Sequence, residues 1–565
     1  MVLLGYLTTV STAISLIFLV LGLFFSRKDI YESLAKSNIR LRTLIPLTLI
    51  IIFFVSFTLL YVKQVEQLYF DENIYQGIAL NILKSGNAVW CQYGTGYLDK
   101  CFINQVYHDS TGYSLLIAMA FGIFGIGTNT AASLEFLMGL ISIVLVFLLS
   151  ASLFDDEKIA VYSAALMALT PEVIIWSRAL AVPDLAFMTF TILAMFLFVV
   201  GIRRGKISLL MPFIAALSIS IYMRIEGILL IPIFALIYLF TGRENITKSF
   251  LFRLREISRA ADKDIYSLFL LLIMVVILLP QVYYLSVEAA SPSYGQGMSG
   301  LFSYANFNKN LIQNLEFLLG AFNYYPAISE WETGVLVVIG ILFMASVRKA
   351  RKVFLYLVLP TIVYLIFYSS FYAGAVGFGV DVRFMLEIIP FLVIIASVGI
   401  RAFEKLAVYA YSKMGDSMII KQAITAVLFI MFVCYPFSAT YPKLTLLPSQ
   451  MPQEAFPQSA TNFIYQNYAK VPQNCLVFSF TPEIWQELNR SSAEIGYLES
   501  QNSSINRSMS NYSCFVFDYG YWCTIQPYHS TICAQIMNTY MLSSIATEES
   551  SSGVNFSLYK IVNYR

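Results

Sequence analysis

The chain has 565 residues, of which 58% are hydrophobic and only 12% are charged. Soluble proteins carry roughly 25% charged residues, so this composition excludes an ordinary soluble protein and indicates one embedded in a membrane. The formal net charge of +2 does not indicate nucleic-acid binding, because the basic residues do not form one patch. They fall in short clusters between apolar runs, as in a membrane protein with basic cytoplasmic loops.

The first apolar run, residues 1–25, is predicted to be a retained membrane helix rather than a signal peptide. It has no basic residues ahead of the apolar stretch and no small-residue cleavage site. It is also long enough to span a bilayer, which takes about 20 residues. The basic residues that follow place the next loop in the cytoplasm and the N-terminus outside; they are Arg27, Lys28, Lys36, Arg40 and Arg42.

A second apolar run, residues 44–62, carries the chain back outward. Further candidate spans follow at 134–153, 157–177, 185–201, 207–223, 227–241, 267–285, 333–347, 353–372, 384–403 and 419–437. Together these runs predict about twelve spanning helices, with the C-terminus outside.

One apolar run, residues 112–127, is predicted not to cross the membrane. The basic loops 203–206, 243–263 and 348–352 all lie in the cytoplasm only if this run stays on one side. The run is glycine-rich and shorter than most spanning helices, so we predict a re-entrant or interfacial helix.

The C-terminal part, residues 438–565, loses long apolar runs and gains Asn, Ser, Gln and Cys. "NCLVFSF" and "CFVFDYGYW" are typical of short buried strands, and "SATNFIYQNYA" is typical of a helix that opens at Ser459. We therefore predict a compact mixed α/β domain outside the membrane. The predicted division is an additional N-terminal helix with its cytoplasmic loop, a transmembrane domain that includes the outer loop 63–133, and this domain: 1–43, 44–437 and 438–565.

The cysteines indicate an oxidising space around the outer segments. Of seven cysteines, only Cys434 lies within a predicted membrane helix. An even set on one side of the membrane suggests disulfides. Cys91 and Cys101 form a natural pair in the first outer loop. The pairing of the other four stays open: Cys475, Cys514, Cys523 and Cys533.

Two adjacent carboxylates in "YFDENIYQGIALNIL", Asp71 and Glu72, lie just after the second apolar run and face the exterior. Ionisable residues at a membrane boundary are costly and indicate function. The apolar residues behind them recur at helical spacing, which predicts a helix lying on the membrane; they are Ile74, Ile78, Ile82 and Leu83. The alternative is a helix N-terminus, where acidic residues favour the dipole and cap the helix.

Further charged residues occupy other outer turns. Each has a structural alternative: a helix cap for Asp184, an ion pair for "YMRIEGI", and a snorkelling arginine for "GFGVDVRF". His108 has no partner at metal-ligand spacing, which favours a structural role. Jointly, acids and arginines at one interface suit a reaction on an anionic lipid head group, with arginine holding phosphate and a carboxylate as general base. The residues are Arg178, Asp184, Arg224, Glu226, Asp381 and Arg383.

Motifs for other chemistry are absent from the sequence. There is no P-loop, GxSxG, HExxH or CxxC pattern. The one GxGxxG match, residues 295–300, does not follow a predicted strand, so it is not a dinucleotide-binding fingerprint. The lack of a nucleotide-binding fingerprint argues against a cytoplasmic nucleotide-driven enzyme. No inverted repeat is apparent, which weakens a transporter interpretation.

Four stretches, taken together, resemble the GT-C glycosyltransferase superfamily, specifically its protein O-mannosyltransferase and aminoarabinose-transferase branch. The resemblance covers about 44–403, and in outline the C-terminal domain is similar to those of archaeal relatives, which implies an archaeal source. The second stretch lacks two prolines of the family pattern, and the initial helix is an addition to the usual core. The stretches are "FDE", "HDSTGYSLLIAMAFGIFG", "PEVIIWSRALAVPDLAFMTF" and "DVRFMLEIIPFLVIIASVGI".

The resemblance implies a fold and a reaction. The fold is a polytopic α-helical GT-C membrane domain with a C-terminal extracytoplasmic α/β domain. The reaction moves a monosaccharide from a polyprenyl (dolichyl) phosphate to an acceptor hydroxyl on the extracytoplasmic side, with inversion. The protein is expected in the plasma membrane, in contact with membrane lipids. The acceptor class is open among protein, glycan and lipid, and no nucleic-acid partner is expected.

The same resemblance assigns roles to individual residues. Asp71 is implied as the general base and Glu72 as a group that orients the acceptor or sugar, with Asp184 in the same cavity. No cofactor is expected, and "PDLAF" lacks the second acid of a D-x-D metal motif, so we predict that no metal is required. The residues implied to bind the donor phosphate and substrate are Arg383, Arg224, Arg178, Tyr75, His108 and Glu226.

Three alternatives stay open. An oligosaccharyltransferase-like enzyme would move a larger glycan to Asn, but the chain has no WWDYG motif. A lipid or sugar transporter would place its carboxylates near the bilayer midplane, whereas these lie at helix ends. A structural membrane protein with simple charged anchors is the third interpretation.

Overall fold

The computed structural model is mostly helical, with a smaller C-terminal sheet, in agreement with the predicted fold class. Long apolar segments form the helices because a helix satisfies its own backbone hydrogen bonds where no water is present. The structure describes residues 2–36, 41–62, 70–91, 93–96, 100–105, 110–179, 181–204, 206–241, 261–289, 302–319, 331–372, 374, 381–412, 418–435, 437–438, 441, 458–498, 511–525, 527–549 and 554–564.

The elements follow in chain order. The α-helices are α1 (Val2–Lys36), α2 (Leu41–Tyr61), α3 (Phe70–Ser85), α4 (Gly112–Phe124), α5 (Thr128–Phe154), α6 (Glu157–Leu169), α7 (Pro171–Ala179), α8 (Pro183–Arg204), α9 (Leu210–Met223), α10 (Leu230–Thr241), α11 (Ala261–Ala289), α12 (Tyr304–Leu318), α13 (Trp331–Ser346), α14 (Arg348–Ser370), α15 (Ile389–Ser412), α16 (Met418–Phe429), α17 (Gln458–Asn467), α18 (Pro482–Glu487), α19 (Trp522–Ile525) and α20 (Pro527–Thr539). The strands are β1 (Gly94–Thr95), β2 (Cys475–Ser479), β3 (Ser492–Glu494), β4 (Cys514–Tyr519), β5 (Tyr540–Glu549) and β6 (Asn555–Tyr564).

The described residues include five helices that are long and apolar enough to cross a membrane, or six if the bent pair α6 and α7 forms one span. Shorter apolar helices account for other predicted spans, so the figure of twelve stays a prediction. The run at 112–127 forms α4, a 13-residue helix. At 1.5 Å per residue it is about 20 Å long, too short for a hydrocarbon core of about 30 Å.

Helix α8 lies at the centre of the helical part. Its most apolar window is 89% buried inside the protein, whereas that of α2 is 28% buried. A helix surrounded by protein rather than lipid can carry a polar group at its end, provided that neighbouring helices supply the partners. This central position therefore makes the N-terminus of α8 a suitable place for a charged site.

The C-terminal sheet has the strand order β1-β3-β2-β4-β6-β5. Strand β2 pairs in parallel with β3 on one side and with β4 on the other, and the remaining pairs are antiparallel. Alternate residues of β2 face separate apolar clusters. Val477 packs with Trp485 on one face, and Leu476 and Phe478 pack with Phe517 on the other.

The predicted outer loop contributes strand β1 to this sheet. Gly94 and Thr95 pair with Ala493 and Ser492 of β3. The predicted domain 438–565 thus includes in its sheet a strand from far outside its own sequence. The two parts of the chain are joined by backbone hydrogen bonds as well as by the connecting segment.

Three disulfides reinforce this arrangement. Cys91 is bonded to Cys101 beside β1, and Cys475 is bonded to Cys514 across the parallel pair β2 and β4. Cys523 is bonded to Cys533, which joins α19 to α20. Cys434 is a free, exposed cysteine.

Replacement of Gly94 tests the junction between the outer loop and the sheet. Gly94 has φ +94°, and a Cβ there would overlap the carbonyl oxygen of Ser492. We expect Gly94→Ala to detach β1 and to make the outer loop sensitive to limited proteolysis. Gly125→Ala is the matched control, because Gly125 has the same φ of +94° but nothing within 4 Å of its would-be Cβ. Both variants carry a backbone strain of about 1 kcal/mol; equal protease resistance in both would contradict the junction.

Candidate active site

The two adjacent carboxylates open helix α3. Asp71 and Glu72 occupy its first turn, where the partial positive charge of the helix N-terminus favours acids. The stripe behind them faces the protein core: Ile74, Ile78 and Ile82 are all buried, while Leu83 is exposed. Every residue from Glu72 to Ile82 is buried, so α3 is enclosed by the protein and does not lie on a membrane surface as predicted; Asp71 at its acidic end keeps partial exposure.

Asp71 forms an ion pair with Arg383. The Arg383 Nη1 lies 3.1 Å from the Asp71 Oδ2, and both side chains keep partial exposure, 16% and 28%. Arg383 lies in a 3₁₀ turn, Asp381–Met385, that precedes α15. The structure thus brings together the predicted base and the predicted phosphate ligand, which are 312 residues apart in sequence.

A second, deeper group surrounds Arg224. Its Nη2 donates to the Glu226 Oε1 over 2.8 Å and its Nε to the Glu226 Oε2 over 3.3 Å. Its Nη1 contacts Asp184, which lies in the first turn of α8 and is fully buried. Arg224 itself is 6% exposed. A buried guanidinium needs such partners because an unpaired charge in an apolar interior is strongly unfavourable.

The ring of Phe384 joins the two groups. The Arg224 guanidinium carbon lies 5.0 Å from the ring centroid and that of Arg383 lies 5.1 Å from it. Both distances suit a cation–π interaction, which attracts a cation to the face of an aromatic ring. Tyr368 stacks on the same ring with centroids 5.3 Å apart. One aromatic side chain therefore holds two arginines in one cluster.

Glu72 and Tyr75 face the interior rather than the outer edge. The Glu72 Oε1 accepts a hydrogen bond of 2.7 Å from the backbone N–H of Ala181, just before α8. Tyr75 is buried and packs edge-on against Tyr113 of α4, with centroids 5.5 Å apart. These contacts give Glu72 a direct means of positioning the turn that carries Asp184.

Of the remaining predicted residues, Arg178 has no described contact with this cluster. Arg178 lies in the last turn of α7, and its Nε is buried without a hydrogen-bond partner among the described residues. His108 lies outside the described residues. Within the part of the chain that the structure describes, no three His, Cys, Asp or Glu side chains are grouped as metal ligands.

Four buried polar residues near the cluster escape the sequence analysis. Glu387 lies just before α15, within electrostatic range of Arg224 and Asp184, and both its carboxylate oxygens lack a hydrogen-bond partner among the described residues. The signal that could have found these acids is a lone carboxylate inside an apolar run. The four residues are Glu135, Tyr364, Tyr368 and Glu387.

The C-terminal domain packs directly on α3. Glu483 of α18 is 1% exposed, and its Cγ lies 3.2 Å from the would-be Cβ of Gly77 in α3. The Trp90 Nε1 donates to the Glu483 Oε1 over 3.0 Å. Burial raises the pKa of Glu483 to about 7, against the smaller lowering effect of that hydrogen bond. An ionisable group therefore lies at the contact between the domain and helix α3, which carries Asp71 in its first turn.

Comparison with known proteins finds a family match over part of the chain and solved structures with a similar fold. Residues 110–257 match the model of the family described as dolichyl-phosphate-mannose-protein mannosyltransferase. That segment carries Asp184, Arg224 and Glu226. No curated protein matches the chain.

Solved structures match over most of the chain. ArnT from Cupriavidus metallidurans bound to undecaprenyl phosphate aligns with a TM-score of 0.56 and 13% identity, over 90% of this chain and 98% of that one. The oligosaccharyltransferase of Archaeoglobus fulgidus tethered to an acceptor peptide aligns with a TM-score of 0.51 and 14% identity, over 93% of this chain and 74% of that one. At these identities the likeness shows a shared fold.

Removal of the buried arginine should be far more damaging than removal of the outer one. We expect Arg224→Gln to lower the free energy of unfolding by about 3–5 kcal/mol, because it leaves Asp184 buried without its cation. Arg383→Gln, the matched control at a partly exposed pair, should lower it by less than about 1 kcal/mol. Denaturant titration in mixed micelles measures both. If the two variants lost equal free energy of unfolding, Arg224 would not be the group that neutralises the buried Asp184.

The buried Glu483 at the contact between the C-terminal domain and α3 predicts a pH dependence of stability. The pKa of Glu483 is raised from 4.5 to about 7 in the folded protein, so the stability it contributes is present below pH 4.5 and is lost as the pH rises to about 7. Burial also raises the pKa of Asp518, to about 6, so the comparison of the wild type with Glu483→Gln, rather than the wild-type slope alone, reports on Glu483. We expect Glu483→Gln to flatten thermal stability between pH 4.5 and about 7, as followed by tryptophan fluorescence. An unchanged slope would contradict the buried position of this carboxyl group.

Proposed function

We propose that this chain, a membrane glycosyltransferase of the GT-C superfamily, as its motifs imply, transfers a single sugar from a polyprenyl phosphate to an acceptor hydroxyl on the extracytoplasmic side. The observation that carries the proposal is the ion pair between Asp71 and Arg383. It combines a carboxylate and a phosphate-binding group at one partly exposed point, with a buried charged cluster directly beneath it.

Asp71 is the proposed general base. Its carboxylate is partly exposed at the start of α3, where an acceptor hydroxyl can reach it. The hydroxyl proton passes to the Asp71 carboxylate while the acceptor oxygen forms a bond to the anomeric carbon. The bond from that carbon to the phosphate oxygen breaks, and the polyprenyl phosphate leaves with the electron pair. A single displacement of this kind inverts the anomeric centre.

Arg383 is the proposed ligand of the donor phosphate. Its guanidinium has five N–H donors in a planar fork, which suits bidentate binding of phosphate oxygens. Its Nη1 is directed at Asp71, and its side chain is partly exposed, so a phosphate can reach the guanidinium beside that carboxylate. Arg224 already binds two carboxylates. We therefore assign Arg224 a structural role: it holds Asp184 and Phe384, and the Phe384 ring in turn holds Arg383. The phosphate binds to Arg383 rather than to Arg224.

The comparisons support a lipid-phosphate donor. ArnT, similar to this chain in fold, is described as bound to undecaprenyl phosphate, and the family of residues 110–257 is described by a dolichyl-phosphate mannose donor. Mannose is therefore the first sugar to test. In this proposal arginine alone stabilises the departing phosphate, so no metal ion is required.

Transfer assays on purified protein in lipid test this proposal. With a polyprenyl-phosphate-linked radiolabelled sugar and a mixed acceptor extract, we expect Asp71→Asn to reduce the rate by about 10²–10⁴-fold, the usual contribution of a general base. Donor binding should stay intact in this variant. Arg383→Ala should reduce the rate by about 10²–10³-fold and weaken donor binding as well. EDTA should have no effect.

Two controls match these substitutions. Asp155→Asn makes the same chemical change at a residue with φ +51° that ends α5, a conformation that Asn tolerates well. Arg351→Ala removes an exposed arginine that contacts only backbone in its hydrogen bond to Ala345. Both should keep wild-type transfer. Full activity in Asp71→Asn, or inhibition by EDTA, would overturn the assigned chemistry.

A further inference from the structure

Helix α12 runs from the end of one apolar helix to the start of its neighbour. At its beginning, the backbone N–H of Ser303 donates to the carbonyl oxygen of Ser370, the last residue of α14, over 2.9 Å. Just after its end, the carbonyl oxygen of Leu319 lies 2.9 Å from the would-be Cβ of Gly334, in the first turn of α13. Helix α12 therefore bridges the end of α14 and the start of α13.

Both of these helix ends lie on the side of the candidate active site. Helix α14 ends there because Tyr368, in its last turn, stacks on Phe384. Helix α13 begins on the same side, since it packs beside α14 and only Val347 joins the two. Helix α14 is long and apolar enough to cross a membrane. Its end therefore marks a membrane boundary, and α12 lies at that level.

Helix α12 crosses the end of α14 instead of running beside it. Ser303 and Asn314 are about 16 Å apart along α12, at 1.5 Å per residue. Both nevertheless contact the same short segment, because the Asn314 Nδ2 lies 3.4 Å from the Ser369 Oγ and Ser303 donates to Ser370. The Asn314 Nδ2 also donates to the carbonyl oxygen of Gly374 over 2.9 Å. A helix beside α14 would contact successive turns, so α12 lies across the direction of the crossing helix.

The exposed surface of α12 has an apolar part and a polar part. Five exposed residues recur at spacings of three and four and therefore share one face of the helix. This exposed row is apolar except for one asparagine, and it consists of Tyr304, Asn308, Ile312, Leu315 and Leu319. The exposed face beside the row carries Lys309 and Glu316, whereas the third face, with Asn310 and Phe317, is buried in the protein. Helix α12 thus presents separate surfaces to the protein, to water and to an apolar partner.

The exposed apolar surface of α14 leads to the exposed row of α12. Ile362 and Ile366 are exposed on α14, at four-residue spacing from Ser370, where α12 begins. Exposed apolar residues on a membrane-crossing helix face the lipid. The exposed row therefore continues a lipid-contacting surface at the membrane boundary. Tyr304, at the start of the row, suits this level, because tyrosine is enriched where acyl chains meet head groups.

We propose that α12 lies in the plane of the membrane surface, on the side of the candidate active site, and binds the phospholipid surface through its exposed row. Lys309 and Glu316 then face water. Because these two side chains carry opposite charges, binding rests on apolar contact and does not require anionic lipid. The placement does not depend on the transfer reaction, so this proposal and the proposed function can fail separately.

Through Phe371 this placement also fixes the depth of the candidate active site in the membrane. The Phe371 carbonyl oxygen accepts a hydrogen bond of 2.7 Å from the Asn310 Nδ2 of α12. The Phe371 ring packs edge-on against Phe384, with centroids 5.7 Å apart, and Phe384 contacts Arg383. A helix anchored at the membrane surface thus holds the arginine at a fixed distance from that surface.

Quenching of fluorescent labels on the full-length protein tests this placement. Each variant carries Cys434→Ser and one introduced cysteine for the label, in phosphatidylcholine nanodiscs. Lipid brominated on its acyl chains quenches labels within the membrane, and aqueous iodide quenches labels in water. An interfacial helix buries its apolar face by about 5–10 Å, so the ratio of bromolipid to iodide quenching should differ between the two faces by at least about threefold. The higher ratio is expected for Ile312→Cys and Leu315→Cys, and the lower ratio for Lys309→Cys and Glu316→Cys.

Reference labels and an active-site variant complete the test. Ile366→Cys on α14 marks the membrane interior, and Glu548→Cys on β5 marks water. Asp71→Asn should leave all ratios unchanged, whether or not it abolishes transfer. The proposal is overturned if the labels at Ile312 and Leu315 match Glu548→Cys, or if both are shielded from both quenchers because protein covers the row. It is equally overturned if the two faces of α12 give equal ratios, or if Asp71→Asn changes them.

Discussion

The guanidinium of Arg224 is buried inside an apolar helical protein. The need to neutralise its positive charge determines which side chains can surround it. A charge in such an interior is tolerated only when carboxylates and an aromatic face surround it. Asp184 comes from the start of α8, Glu226 from the turn after α9, and Phe384 from the turn before α15. Three separate segments must therefore meet at one point.

Through Phe384 the same constraint reaches the surface. The ring that packs on Arg224 also packs on Arg383, which pairs with Asp71 at the start of α3. The partly exposed pair of Asp71 and Arg383 is therefore supported by a rigid group of buried side chains. This division fits a catalytic site, in which the reacting groups stay accessible while the groups beneath them hold their geometry.

The C-terminal domain holds the other side of α3. Glu483 packs on Gly77, Trp90 donates to Glu483, and β1 of the outer loop extends the C-terminal sheet. The domain is therefore a structural partner of the acidic helix.

Sequence analysis was informative at positions where a charged side chain is energetically unfavourable. Few ionisable residues occur at the outer ends of apolar runs, so Asp71, Asp184, Arg224 and Arg383 could be recognised as a set. Their pairing could not be predicted, because it joins turns hundreds of residues apart. Glu387 was missed because a lone acid inside an apolar run has no motif.

Strand β1 was missed for a different reason. Two residues, one of them Gly94 with positive φ, carry no alternating pattern, and the strand exists only because β3 offers it an edge. The number of spans was equally hard to predict, because several helices are shorter than a full crossing and rely on neighbours rather than on their own length.

The most direct test of the central claim is an electron cryo-microscopy structure of the protein in lipid with a bound polyprenyl phosphate. The account predicts a phosphate oxygen within about 3 Å of the Arg383 guanidinium, next to the Asp71 carboxylate, with Arg224 still bound to Asp184. A phosphate held elsewhere, with the Asp71–Arg383 pair unchanged and closed to the ligand, would contradict it.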